Sequence, residues 1–324
     1  MAINSGASTP SLETPVALSI LWAAGLCLAL ALVGALMPKW LTFLITMAAA
    51  NGLVSLGIVV LMRGGVVPFG QGMVFAIGGY TAALMFNKMG ITDALFLTLC
   101  GGVIAAVVAA PFAPLLSRYR GIFFAMLTLA LSMVTYGLLM KLEVLGGSDG
   151  FNLGRPTLLG YKLPDDQVGY IMYVLTITVS SIMALLARIY FDSTRGLITL
   201  ATKENELRVE YLGGSVRYAM AINFILAAFC GGLGGALAVM ALGHIEPGVS
   251  FWTTSGEFVF VAVLAGWQSV IALFVASVVL EVVRSFSSSY FPNTWQMALG
   301  IFLLIVIRFL PRGIGSLWVK GGTR

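Results

Sequence analysis

The sequence predicts an all-α protein that crosses a membrane many times, and three observations predict it. Of its 324 residues, 59% are hydrophobic and 10% are charged, against about 45–50% and about 25% in a soluble domain. Mean hydropathy is +1.00, too apolar for a water-facing surface of ordinary size. The apolar residues fall into runs of roughly 20, the length a helix needs to cross about 30 Å of hydrocarbon. Disordered, collagen-like and nucleic-acid-binding classes are excluded by the same composition.

Along the chain this ruler gives segments at 15–37, 40–62, 69–86, 92–116, 121–140, 168–190, 217–242 and 294–310. Residues 250–291 form a longer apolar stretch interrupted at Gly266-Trp267-Gln268-Ser269. It reads as a short helix over 255–265, a turn, and a longer helix, giving nine or ten transmembrane or re-entrant helices in all. The first run is too long for a secretory signal, and residues 1–14 carry no Lys or Arg, so it is expected to be a retained helix. The organisation expected is one membrane domain over 15–312 between tails at 1–14 and 313–324.

The formal charge of +5 is less informative than where the cations fall. With the amino terminus inside, alternation of the segments places Arg63, Arg118, Arg120, Arg188, Arg195, Lys203, Arg208, Arg217, Arg308, Arg312, Lys320 and Arg324 in the cytoplasm. Lys39, Lys88, Lys141, Arg155, Lys162 and Arg284 fall outside. The excess of inner cations favours both termini inside. Residues 191–216 are then cytoplasmic and 141–167, with Gly146-Gly147-Ser148-Asp149-Gly150, face outward.

The chain carries little chemistry of its own. Cys27, Cys100 and Cys230 sit in apolar runs without a C-x-x-C pair, and the single His244 has no ligand companions, so no metal or cofactor is expected. Gly-Lys, needed for a phosphate-binding P-loop, does not occur, and no protease-type helix is present. The in-span ionisable residues are Glu257, Glu281, Arg284 and Arg308. Each reads as lying nearer a segment end than its centre, with Glu281 and Arg284 able to pair at i and i+3.

Two stretches stand out. Glycines or prolines at 64, 65, 68, 70 and 72 break a membrane helix at its inner end, and irregular backbone at that depth needs a protein cover or a watery cavity. One reading makes Gly70, Gln71 and Gly72, with Tyr80 and Thr81 behind them, the lining of a pathway; the other is close packing through small residues. At Gly231-Gly232-Leu233-Gly234-Gly235 packing is the preferred reading. In the inner loop, Leu200, Leu207 and Tyr211 recur at helical spacing opposite Lys203, Glu206 and Glu210. This amphipathic stretch suits a solvated helix, a membrane-surface helix or a helix docked in a partner's groove. Its mixed charge argues against lipid.

Several stretches, in order, resemble the branched-chain amino-acid ABC permeases over roughly residues 40–318. They are Pro68-Phe69-Gly70-Gln71-Gly72 through Gly79-Tyr80-Thr81-Ala82; Arg120-Gly121-Ile122-Phe123-Phe124-Ala125 with Leu127-Thr128-Leu129-Ala130; Gly146-Gly147-Ser148-Asp149-Gly150; Glu204-Asn205-Glu206 through Gly213; and Phe309-Leu310-Pro311-Arg312-Gly313. The second and third resemble the M type. The resemblance implies an importer subunit of the bacterial inner membrane that pairs with a homologous permease. Two cytoplasmic P-loop ATPases and a periplasmic binding protein are its implied partners. It also implies that residues 199–213 form a coupling helix for an ATPase. Leu200, Lys203, Asn205, Tyr211 and Gly213 belong to that helix, Leu207 is its anchor, and Glu204, Glu206 and Arg208 form a polar rim. Leu207-Arg208 stand where the importer loop has alanines, so leucine-like amino acids, amides, urea and aromatic acids all remain open as solutes. The rival reading is an ion-coupled carrier or channel that acts without ATPases.

Overall fold

The computed structural model describes residues 16–161, 164, 167–292, 294–310 and 313–317. The 1–14 tail, Lys162, Pro311-Arg312 and residues 318–324 with Lys320 and Arg324 lie outside the described residues.

The described chain is a helical bundle. In order it runs α1 (Val16–Leu36), α2 (Lys39–Met62), α3 (Gln71–Met89), α4 (Ala94–Ala109), α5 (Ala113–Leu116), α6 (Gly121–Lys141) and α7 (Val168–Asp192). There follow two short helices, α8 (Thr194–Glu204) and α9 (Glu206–Tyr211), then α10 (Val216–Leu242), α11 (Trp252–Ala265), α12 (Val270–Tyr290) and α13 (Trp295–Phe309). Six spans of the described chain are long and apolar enough to cross a membrane: Lys39–Met62, Gly121–Lys141, Val168–Asp192, Val216–Leu242, Val270–Tyr290 and Trp295–Ser316, the last reaching beyond the end of α13. The expected nine or ten spans are therefore not what length alone shows. The segment expected at 92–116 is divided because Pro111 cannot continue a helix and disfavours helical geometry just before it; α4 stops at Ala109. The 14 residues of α11 reach only about 21 Å at about 1.5 Å per residue.

Helices α2 and α10 are the axis of the bundle and are enclosed along most of their length. Both are apolar on every side, the pattern of a helix with no lipid face. Between membrane helices apolar burial supplies little force, so contact depends on letting backbones approach. Gly57 lies on the backbone of Ala227, Gly78 on that of Gly232, Gly234 on the Ala50 carbonyl and Gly235 on the Phe75 carbonyl. A side chain at any of them would push α2, α3 and α10 apart. The expected packing role of the 231–235 glycines is thereby located residue by residue.

Short polar bonds complete the packing. Ser277 Oγ donates to the Ala48 carbonyl at 2.5 Å and Ser55 Oγ to the Phe258 carbonyl at 3.1 Å, fixing α12 and α11 to α2. Tyr170 and Tyr173 on α7 donate to the carbonyls of Ala31 and Leu30 and hold α1 against the bundle. Helix starts are capped by side-chain oxygens that accept otherwise orphan N–H groups: Asp93 for α4, Ser215 for α10 and Ser269 for α12. At the end of the bundle where α3 and α10 finish, strands β1 (Phe151–Asn152) and β2 (His244–Ile245) pair antiparallel.

Candidate functional site

Four places carry the polar chemistry of the chain. The first is the helix break before α3. Gly70, Gln71, Gly72, Tyr80 and Thr81 are all buried, so in this conformation the expected pathway set lines no open surface. Neighbouring side chains occupy the freed backbone groups. The Phe69 N–H donates to Thr128 Oγ1 at 3.0 Å, and the Gly72 N–H to Ser255 Oγ at 2.9 Å. A Cβ on Gly70 would meet the Thr128 carbonyl. Gln71 is 2% exposed, and its Oε1, like the Tyr80 hydroxyl, has no hydrogen-bond partner among the described residues. Thr81 Oγ1 donates back to the Ile77 carbonyl on its own helix.

The second place is the loop between α7 and α10, which holds α8 and α9. A single helix over 199–213 is expected, but the chain forms two. It breaks at Asn205, whose extended backbone (φ −160°) ends α8 and whose side chain accepts from the Arg208 N–H to cap α9. Val209 is buried, while Leu207 is 65%, Tyr211 89% and Leu212 83% exposed. Gly213, at φ +84°, ends the pair. One expected rim charge, Glu206, and Lys203 of the polar strip have internal work instead. Arg120 Nε donates to Glu206 Oε1 at 2.6 Å, tying α9 to the start of α6. The Lys203 ammonium lies 4.2 Å from the Trp267 ring centroid. Partial burial, and then the nearby Arg63 charge, lowers the Lys203 pKa from its ordinary value. Arg63 itself stacks on Phe191, 4.1 Å from the ring centroid. Glu204 and Arg208 remain exposed, and Leu200 is half-buried. Leu212, Leu197 and Arg120 are additions that periodicity over 199–211 could not supply.

The third place is the opposite loop. Gly146, Gly147 and Gly150 all take positive φ. At Gly150 (φ +68°, ψ −154°) the backbone is in a region open essentially to glycine alone, and a Cβ there would collide with the Ile245 carbonyl. The turn is held down by Lys88 Nζ donating to the Val144 carbonyl and Asn87 Nδ2 to the Asn152 carbonyl. It leaves Ser148 and Asp149 exposed.

The fourth place joins α2, α11 and α12. Asn51 Nδ2 donates to Glu281 Oε2 at 3.2 Å. Arg284 Nη1 lies 3.3 Å from Glu257 Oε2 and 4.0 Å from Glu281 Oε2. One expectation is corrected here: Glu281 sits at the middle of α12 rather than near a segment end, level with Asn51 at the middle of α2. The expected i,i+3 pair of Glu281 and Arg284 forms at 4.0 Å, and Glu257 of α11 is a nearer second partner at 3.3 Å.

A helical bundle whose axis is packed through glycines, with six spans long and apolar enough to cross a membrane, is that of a multi-pass membrane protein. The chain belongs to the branched-chain amino acid transport system permease component family, which matches residues 40–308. It is 26% identical over 279 residues to the high-affinity branched-chain amino acid transport system permease protein LivM of Escherichia coli (strain K12). That alignment covers 79% of this chain and 65% of the relative. The Salmonella typhimurium protein of the same name is 27% identical over 293 residues, covering 83% of this chain and 68% of that one. The chain thus spans about two thirds of the length of the curated relatives it matches. No solved structure matches it.

Proposed function

We propose that this chain is one permease subunit of an ATP-driven, binding-protein-dependent importer of branched-chain amino acids or related small zwitterions. A second homologous permease completes the pathway, two P-loop ATPases sit against α8 and α9, and a binding protein docks outside on the 146–150 turn. The six long helices, together with α1, α3, α4 and α11, make up the nine or ten spanning or re-entrant segments. Both termini and the α8–α9 loop face the cytoplasm of a bacterial inner membrane. ATP hydrolysis belongs to the partners, and this chain is non-catalytic.

The observation that carries the reading is the exposed apolar face of Leu207, Tyr211 and Leu212 on a mixed-charge helix pair, in a chain of the permease family. An apolar face among solvated charges suits a protein groove, with a few buried anchors supplying most of the contact energy. In the same reading, Gln71, Tyr80 and Thr81 meet the solute when α3 and α10 rearrange, a switch between two packed states biased by ATP. The test is co-purification of the tagged chain with its neighbouring permease and ATPases. Recovery of the chain alone, or as a homo-oligomer that transports without them, contradicts it.

One observation favours the ion-coupled rival: Glu257 and Glu281 are carboxylates enclosed at helix-centre depth, where such carriers keep a coupling acid. That reading requires uptake to persist with the ATPases absent.

A further inference from the structure

The Asn51, Glu257, Glu281 and Arg284 cluster gathers two carboxylates around one guanidinium, which also lies 5.4 Å from the Trp295 ring centroid. Asn51 is at the centre of α2 (Lys39–Met62), about 16–18 Å from either end at about 1.5 Å per residue. Helical side chains lean toward the amino terminus of their helix, which turns Arg284 from the later half of α12 back toward this level. The group carries two carboxylates and one guanidinium. Neither ion-pair distance is short, at 3.3 Å and 4.0 Å, whereas a satisfied guanidinium–carboxylate pair closes to about 2.7–2.9 Å.

The Arg284 side chain is also 38% exposed on the isolated chain. A guanidinium open to that extent at such a depth does not face hydrocarbon; charged groups there face a bundle interior or a water-filled cavity. A cavity of about 10 Å³ lies among these residues, with Phe258, Val261 and Leu280 as its apolar wall. At that size it holds one water.

We propose that this cluster is a recognition point for a zwitterion with an aliphatic side chain. Arg284 takes the solute carboxylate, the surplus carboxylate of the Glu257 and Glu281 pair takes its ammonium, and Phe258, Val261 and Leu280 receive the apolar end. In the packed arrangement the space is water-sized, so the solute occupies it when α12 draws away from α11. The proposal deepens the importer reading and rests on it. It assigns part of the selectivity to the membrane subunit.

The test is uptake of radiolabelled L-leucine, L-isoleucine and L-valine by the complete reconstituted importer, with subunit recovery and binding-protein-stimulated ATP hydrolysis measured on the same preparations. A parent complex that moves none of the three refutes the branched-chain importer reading on which the proposal rests, before any variant is compared. With the parent active, Glu257→Gln is expected to lower uptake about tenfold, the loss of one charge-assisted contact, with recovery and hydrolysis within about twofold of the parent. Arg284→Lys is expected to keep more uptake than Arg284→Gln, because an ammonium still attracts a carboxylate but loses the fork. Parent-like uptake in Glu257→Gln overturns the proposal. So does a loss of uptake matched by equal losses of subunits and hydrolysis in both Glu257→Gln and Arg284→Gln, which marks a structural ion pair.

Discussion

Asn223 Nδ2 donates to Thr199 Oγ1 at 3.0 Å, and this bond joins the central helix α10 to the short helix α8. The other end of the same buried amide accepts from Tyr190 Oη of α7 at 2.5 Å. One side chain therefore ties the projecting helix pair to two long helices.

Thr199→Val keeps the shape of the side chain and removes the acceptor, leaving Asn223 with an unsatisfied buried donor. Such a loss costs about 1–3 kcal/mol. The expected outcome is a lower thermal midpoint of the purified subunit and fewer solute molecules moved per ATP hydrolysed. An unchanged transport-to-hydrolysis ratio would show that this bond only stabilises.

Gly78→Ala and Gly137→Ala should differ sharply although both glycines lie within long helices. A Cβ at Gly78 meets the backbone of Gly232, while one at Gly137 meets nothing within 4 Å. Overpacking costs about 1–3 kcal/mol, and replacing an unopposed helical glycine gains about 1 kcal/mol. Thermal unfolding in detergent is expected to place Gly78→Ala below the parent and Gly137→Ala at or above it. The reverse order would contradict the helix contacts described.

Much of this architecture is legible in the sequence because a membrane helix announces itself by run length. Segments expected at 40–62, 168–190 and 217–242 fold as Lys39–Met62, Val168–Asp192 and Val216–Leu242. The break at Gly266-Trp267-Gln268-Ser269 separates α11 from α12 as expected. What run length does not carry is pairing between distant helices. Arg284 has an acid three residues away, and only the close approach of α11 brings Glu257 nearer. Periodicity likewise assigns Lys203 and Glu206 to a free polar strip, whereas Trp267 and Arg120, remote in sequence, engage them. The burial of Gln71 follows from the glycine contact of α3 with α10, which no local pattern encodes.

Gln71→Leu tests why a buried amide oxygen goes without a partner. An orphan of this kind costs about 1–3 kcal/mol, so its replacement by a shape-similar apolar side chain should leave the thermal midpoint and subunit recovery equal or higher. On the pathway reading, uptake falls several-fold all the same. Parent-like uptake would assign Gln71 to packing alone.

Leu207→Asp should detach or uncouple the ATPase while membrane insertion is retained, because truncating a buried interface anchor costs about 2 kcal/mol or more. Glu204→Gln, an exposed rim charge, should change recovery little. Glu206→Gln is expected to fall between them, since it releases α9 from Arg120. Affinity recovery of ATPase with each variant decides the order, and full recovery with Leu207→Asp would place the coupling contact elsewhere.

Orientation is tested with single cysteines at Ser148 and Arg208, both exposed, in a background lacking Cys27, Cys100 and Cys230. An impermeant thiol reagent on intact cells is expected to label position 148 and spare 208. The opposite pattern would invert the topology.

The most direct measurement is leucine uptake into proteoliposomes that contain this chain, its partner permease and both ATPases, with loaded binding protein outside and nucleotide sealed inside. Uptake that requires ATP and stops when the ATPases carry a hydrolysis-blocking substitution is the predicted result. Uptake that continues without ATP and follows an imposed proton or sodium gradient would contradict the account and make the chain an ion-coupled carrier.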